Sequence, residues 1–309
     1  MRGSIRASST MTDAAPALPT ITHAPRRRWP WLAVAAKLLA VPQAAFGVLV
    51  IAVIVFCALL APWITPYDPQ AMDFKRMMAG ISADHLLGSD RMGRDTLSRL
   101  IVGTQTALIV SLGAVGIGVL VGAPLGLISV YFRGWTDDVV MRFMDALVVF
   151  PSLLVAVGLA AVMGSSIGTV ILAIGIANVP WMARIVRSQG LAVREQDFIA
   201  SAEAGGLSRL RIMARHILPN TVAPLIVQAT LSMGYAVLTE AALGFIGVGV
   251  QPPTPTWGNM LQQAFPLLQQ QPLLSIVPGV AIFLMVLAFN FVGDALRDVL
   301  DPRLKGVIH

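Results

Sequence analysis

The chain has 309 residues, 56% of them apolar and only 12% charged, where soluble domains carry roughly a quarter charged residues. A membrane-spanning helix takes about 20 apolar residues, so this length holds about six spans with their connections. The composition excludes an ordinary soluble enzyme, a disulfide scaffold and a disordered chain. Cys57, the single cysteine, lies in an apolar run and offers no disulfide or cysteine metal site within the chain. The net charge of +6 reads as the basic excess of a cytoplasmic membrane face rather than as a nucleic-acid footprint.

In chain order, residues 1–43 are polar, broken by prolines, and carry Arg26, Arg27 and Arg28 ahead of the first long apolar run. That run starts too late and is too long for a cleaved signal peptide. The segment is expected to be an uncleaved cytoplasmic tail, with Met1 and Met11 both open as the native start.

Six apolar segments follow, at approximately 44–63, 102–131, 144–163, 167–185, 221–250 and 273–292. Basic residues mark the cytoplasmic connections. Seventeen of the 22 fall in the N-terminal tail, the third connection, the fifth connection and the C-terminal tail 293–309. This predicts an all-α membrane domain over 44–292, with both termini in the cytoplasm. The remaining five (Lys75, Arg76, Arg91, Arg94, Arg99) lie in the 64–101 loop beside Asp68, Asp73, Asp84, Asp90 and Asp95. Loop 64–101 therefore reads as a small folded external segment. Asp90, Arg94, Asp95 and Arg99 alternate in sign there as solvent-exposed pairs, each worth about 0–1 kcal/mol. They are expected to shape a surface facing a partner rather than to hold the fold. A second external loop spans 251–272.

Glycines and prolines inside spans need neighbours that satisfy the backbone they free. Gly118, Gly122 and Gly126 recur every four residues and give one helix face a close approach. The approaching helix belongs either to this chain or to a second subunit. Pro124, Pro151, Pro224 and Pro278 are expected kinks.

Few residues could carry chemistry. Gly164-Ser165-Ser166-Ile167-Gly168 matches G-x-S-x-G and raises an intramembrane serine protease. That mechanism needs a base in reach of the serine. His23, His216 and His309 fall on the opposite side by the expected topology, and His85 is in a polar loop. A hinge between two spans explains the match better. The sequence shows no H-E-x-x-H motif, Walker lysine loop or metal-ligand cluster, so no catalytic residue, metal or cofactor is assigned to the chain. Ionisable residues within spans are functional candidates. Asp145 has Arg142 one turn earlier and suggests a structural ion pair. Glu240 stands alone, and either bonds a neighbouring helix or lines an aqueous path.

The fifth connection, 186–219, is longer than an anchor needs. Asp197 can cap a short helix through Ala204, and Gly205-Gly206 supplies a turn. Ser208 can cap a second helix with an apolar stripe of Leu207, Leu210, Ala214 and Ile217. Arg209, Arg211 and Arg215 lie off that stripe, and Pro219 marks the turn into the fifth span. Helix, turn and basic helix form a module for docking something cytoplasmic.

This module resembles the signature loop of the membrane subunits of binding-protein-dependent ABC importers, E-A-A-x-x-x-G-x9-I-x-L-P. Ala200-Ser201-Ala202 stands at the E-A-A place, Gly206 at the glycine, and Leu218-Pro219 at the end. Ala200 replaces the glutamate and His216 the isoleucine, which bears on a polar contact usually ascribed to that glutamate but not on the backbone geometry. Further blocks resemble the dipeptide/oligopeptide/nickel permease subfamily. They are His85 to Asp95 with Leu97-Ser98-Arg99-Leu100, Tyr131-Phe132-Arg133-Gly134, Gln251 to Gly258, and Gly293 to Pro302. Their order is most similar to the second permease subunit of a dipeptide importer.

The resemblance implies a multi-pass subunit of a bacterial inner membrane that moves dipeptides or short peptides, with oligopeptide, glutathione and nickel as alternatives. It implies a second related permease subunit, two cytoplasmic ATPase subunits that hold ATP and Mg, and an external binding protein. Nucleic acid is not an implied partner. The coupling residues would be Asp197, Phe198, Ala200, Ser201, Ala202, Glu203, Gly205, Gly206, Leu207, Arg209, Arg211 and Pro219. A six-span signalling or scaffold protein is the remaining alternative class.

Overall fold

The computed structural model describes residues 31–300. Its helices are α1 (Trp31–Leu39), α2 (Pro42–Ile64), α3 (Thr96–Phe132), α4 (Gly134–Val149), α5 (Ser152–Met163), α6 (Ile167–Arg194), α7 (Asp197–Ala204), α8 (Arg209–Ile212), α9 (Leu218–Ile246), α10 (Trp257–Ala264) and α11 (Leu273–Leu300). Among the described residues the β structure is one antiparallel bridge, Ser89 to Asp95. Helix starts follow local chemistry. The Asp95 carboxylate accepts from Ser98 N at 2.8 Å at the head of α3. Thr256 and Asn259 form a reciprocal capping box at α10. Ser166 caps α6 by accepting from Thr169 N at 3.2 Å. That bond gives Ser166 a structural task and accounts for its place in the G-x-S-x-G match.

Five helices are long and apolar enough to cross a membrane, and a sixth crossing is available if α4 and α5 count as one span bent by 83°. Packing favours that count. A Cβ on Gly118 would sit 2.8 Å from Asn178 Cβ, on Gly122 2.6 Å from Val179 O, and on Gly126 2.5 Å from Ala183 O. Residue numbers rise together along α3 and α6, so the two helices run parallel and the chain between them must return across the bundle. The approaching helix predicted for the glycine face is therefore α6 of this chain. Pro151 lies between α4 and α5, whereas Pro124, Pro224 and Pro278 lie inside α3, α9 and α11.

The main core joins Val110, Ala114, Ile174, Met182, Val186, Ile217 and Leu243 from α3, α6, α9 and the turn before α9. A second cluster sets Ile54, Val237, Trp257, Met285 and Phe289 between α2, α9, α10 and α11. Several expected boundaries are corrected. Residues 31–39 are helical, and Val34 and Leu38 pack with Ala44 and Ala295, so the tail is shorter than 1–43. Residues 1–30 and 301–309 lie outside the described residues. The 251–272 connection holds α10, whose Trp257 is 1% exposed and donates to Leu100 O at 3.1 Å. The helix of the last span, α11, runs on to Leu300, beyond the apolar run that ends at 292.

Pro219 makes no turn. Met213–Ile217 form a π turn that joins α8 to α9, and Leu218 N–H reaches back to Met213 O. The wider turn accommodates the missing proline N–H and its ring, which would clash in a regular helix. The helix therefore runs from Arg209 to Ile246 without a corner.

Candidate functional site

Two regions at opposite ends of α3 gather the candidate residues. At 37 residues α3 is about 55 Å long at 1.5 Å per residue, well beyond the ~30 Å hydrocarbon core of a bilayer.

At the C-terminal end of α3 lies α7. Its first residue is Asp197, with Gln196 at the capping position, so the expected Asp197 cap is corrected by one residue. Ile199 and Ala202 are buried, whereas Asp197, Phe198, Ala200, Ser201 and Glu203 are exposed. The helix ends in a Schellman turn. Leu207 N bonds Ala202 O at 3.2 Å, Gly206 N bonds Glu203 O at 3.0 Å, and Gly206 has φ +75°. Gly206 alone carries the left-handed backbone, since Gly205 has φ −73°. Beyond the turn, the expected stripe is corrected. Leu210 is 73% exposed and Ala214 is exposed, while Ile212, Met213 and Ile217 are buried. The π turn shifts the helical register, so extrapolation from a regular helix selects the wrong face. Exposed Leu210, Arg209 and Arg211 extend the surface begun by Phe198, and Pro219 is exposed further along.

This module is tied to the bundle by contacts that sequence reading missed. Arg194 donates to Val130 O and Tyr131 O at 2.6 Å each, capturing the last carbonyls of α3, and stacks over the Tyr131 ring. Arg209 lies over the Phe132 ring, 5.7 Å from its centroid, and Arg133 pairs with Glu195. Arg187 grips Asp137 through two hydrogen bonds of 2.6 and 2.5 Å, and the Ser129 hydroxyl donates to the same carboxylate. Asp145 pairs with Arg184 at 2.7 Å, not with Arg142. Helix spacing made Arg142 a candidate, but α6 supplies the nearer guanidinium.

At the N-terminal end of α3, residues 65–95 fold into turns around a buried polar cluster. Arg94 Nε bonds Asp90 at 2.7 Å and its Nη2 donates to Gln263 Oε1 of α10 at 2.6 Å. Arg99 faces Asp90 at 3.6 Å. Asp95 accepts from Ser98 N and Oγ and meets His85 Nδ1 at 2.8 Å. Arg94, Asp95 and Arg99 are 2%, 3% and 1% exposed. The expectation of weak, solvent-exposed pairs is thus corrected: α10 and the 65–90 segment cover them. Breaking one partner of a buried pair costs about 3–5 kcal/mol.

Glu240 is 1% exposed, on the α9 face toward α10 with Thr256 as its polar neighbour, and its Oε1 has no hydrogen-bond partner. Within this chain it is packed at the interface of α9 with the start of α10.

A bundle of crossing helices with a short exposed helix strapped to its end defines a polytopic membrane protein. Comparison with known proteins agrees. Residues 114–306 match the family described as the binding-protein-dependent transport system inner membrane component, and residues 30–81 match the N-terminal transmembrane domain of oligopeptide transport permease C. The chain belongs to this family and is an ABC importer permease of the peptide/oligopeptide subfamily. It is 43% identical over 269 residues to the glutathione transport system permease protein GsiD of Escherichia coli O6:K15:H31, covering 87% of this chain and 88% of the relative. The GsiD of Shigella dysenteriae serotype 1 is 42% identical over the same shares. The fold resembles inward-facing structures of the MetNI methionine ABC transporter, with a TM-score of 0.56 at 19% identity over 66% of this chain and 98% of that one.

Proposed function

We propose that this permease subunit imports short peptides across a bacterial inner membrane with both termini in the cytoplasm. In this reading α7 and the start of α8 seat in a groove of a cytoplasmic ATPase. A second permease subunit completes the path, a paired ATPase hydrolyses ATP with Mg, and an external binding protein delivers the ligand. The observation that carries it is the division of α7 into a buried face of Ile199 and Ala202 and an exposed face led by Phe198. An exposed aromatic beside basic residues suits a protein groove. The straps at Arg194, Arg209 and Glu195 couple it to α3 and α6. ATP-driven closure of the ATPases then moves the bundle only through contacts that differ between the two global states.

Dipeptides remain the proposed substrate class. Glutathione, itself a short peptide, is the second reading, favoured by the names of the 43%-identical relatives. The whole importer, reconstituted in vesicles with its binding protein, tests both. ATP-dependent uptake of a dipeptide or of glutathione is expected, and a cysteine at Ser201 should cross-link to the ATPase. Uptake of neither, without cross-linking, would refute the proposal.

A further inference from the structure

Phe198 leads the exposed face of α7, and a ring from another element lies against it. Its centroid is 6.2 Å from that of His216, with the two planes at 42°, inside the range of roughly 4.5–7 Å over which aromatic pairs attract. Among the described residues this is the one ring pair that Phe198 makes. His216 belongs to the π turn Met213–Ile217 that joins α8 to α9. The pair therefore bridges the eight-residue α7 to the root of α9 across the Gly206 turn.

The π turn explains how that ring comes to be there. Its wider turn shifts the register, so that Ile212, Met213 and Ile217 enter the main core and His216 is left half-buried beside α7. The Asn220 side-chain amide donates to His216 O at 2.6 Å and fixes the backbone from which the ring projects. Single π turns inside helices gather at functional sites. Hydrogen bonding at Nδ1 does not account for the ring's place, because that atom is buried and has no partner among the described residues. What His216 offers α7 is a ring to pack on. An exposed side chain loses rotamer freedom when a groove closes on it, and it loses less if a neighbour already holds it in its bound orientation.

We propose that His216 is a positioning residue for the ATPase contact, its ring holding Phe198 in the orientation in which α7 enters the groove. This rests on the reading of α7 as the ATPase-docking element. The contact also gives the docked helix a tie to the root of α9, beside the straps that join it to α3.

The test titrates the ATPase subunits onto membrane vesicles that hold both permease subunits, with Phe198→Ala as the reference variant. His216→Ala should weaken ATPase binding by about two- to fivefold, the worth of one aromatic pair, and by no more than Phe198→Ala does. His216→Phe keeps a ring without nitrogens and should restore wild-type binding. In the double variant His216→Ala/Phe198→Ala, binding should be no weaker than in Phe198→Ala alone, because a residue that acts through another adds nothing once that other is gone. Wild-type binding in His216→Ala, beside weakened binding in Phe198→Ala, would overturn the inference and leave α7 as the docking element. A His216→Phe variant as weak as His216→Ala would overturn it too, since the imidazole nitrogens would then be what matters. So would losses that add in the double variant. Unchanged binding in Phe198→Ala would remove the docking reading itself, and this inference with it.

Discussion

The two ends of α3 are held by opposite means. At its head, charged groups are buried, cross-linked through Asp90 and Gln263, and covered by α10. At its tail, the charges that strap α7 are largely exposed, as with Arg133 and Glu195 at 44% and 68%, and two apolar side chains, Ile199 and Ala202, anchor the helix. In the proposed function α7 engages a moving partner, and such a surface has to be exposed and able to travel. A segment that must keep its shape beside it can use buried polar groups, whose geometry is unforgiving. The comparison teaches that the same residue types, Arg and Asp, serve rigidity where covered and adjustable contact where wet.

Asp90→Ala should produce the largest effect. It strips two buried guanidinium groups of their carboxylate and should destabilise the subunit by about 3–5 kcal/mol, seen as a lowered thermal midpoint and poor assembly. An unchanged midpoint would show that the head of α3 is no more rigid than the tail. Gly206→Val attacks the other end. A Cβ there meets nothing within 4 Å, so the penalty is backbone strain at φ +75°, about 1–3 kcal/mol, confined to the α7 turn. The variant should insert in the membrane, but its ATPases should dock weakly or hydrolyse ATP without transport. Wild-type coupling would remove α7 from the mechanism.

Phe198→Ala separates docking from folding more finely. Phe198 is 37% exposed, so the midpoint should stay within about 1 kcal/mol equivalent, while affinity for the ATPase falls by at least about fivefold. Equal affinity would move the docking contact elsewhere on the loop. Glu195→Gln should have the smallest effect. The hydrogen bond from Arg133, helped by its charge, holds the Glu195 carboxyl below the ordinary carboxylate range. Its contribution is therefore complete at neutral pH and fades only as pH falls through that lowered value. Activity between pH 6 and 8 should not distinguish Glu195→Gln from wild type, and a difference confined to that window would assign the pair a larger role.

Much of this molecule is legible in its sequence because the signals are local. Long apolar runs mark the spans, since a bilayer leaves a backbone few alternatives to helix. Glycines every fourth residue mark a close face, and Gly206 marks a left-handed turn that few other residues tolerate. The α7 module was also recognisable, because the short helix and its glycine turn are written within a dozen residues. Sequence spacing could not say which charges meet. Asp145 finds Arg184 on α6 rather than Arg142 on its own helix, because two packed helices bring distant residues nearer than one turn of a single helix does. Nor could it show that Arg94 and Arg99 are buried, since the cover comes from α10, more than 150 residues later. The passage through Pro219 without a corner rests on a π turn whose register depends on burying Ile212 and Ile217. Hydropathy and backbone preference belong to each residue and its neighbours, and so the sequence by itself determined the span-length apolar runs and the short helix and turn at residues 197–206. Burial and charge pairing belong to the assembled bundle, and only the tertiary structure decided them.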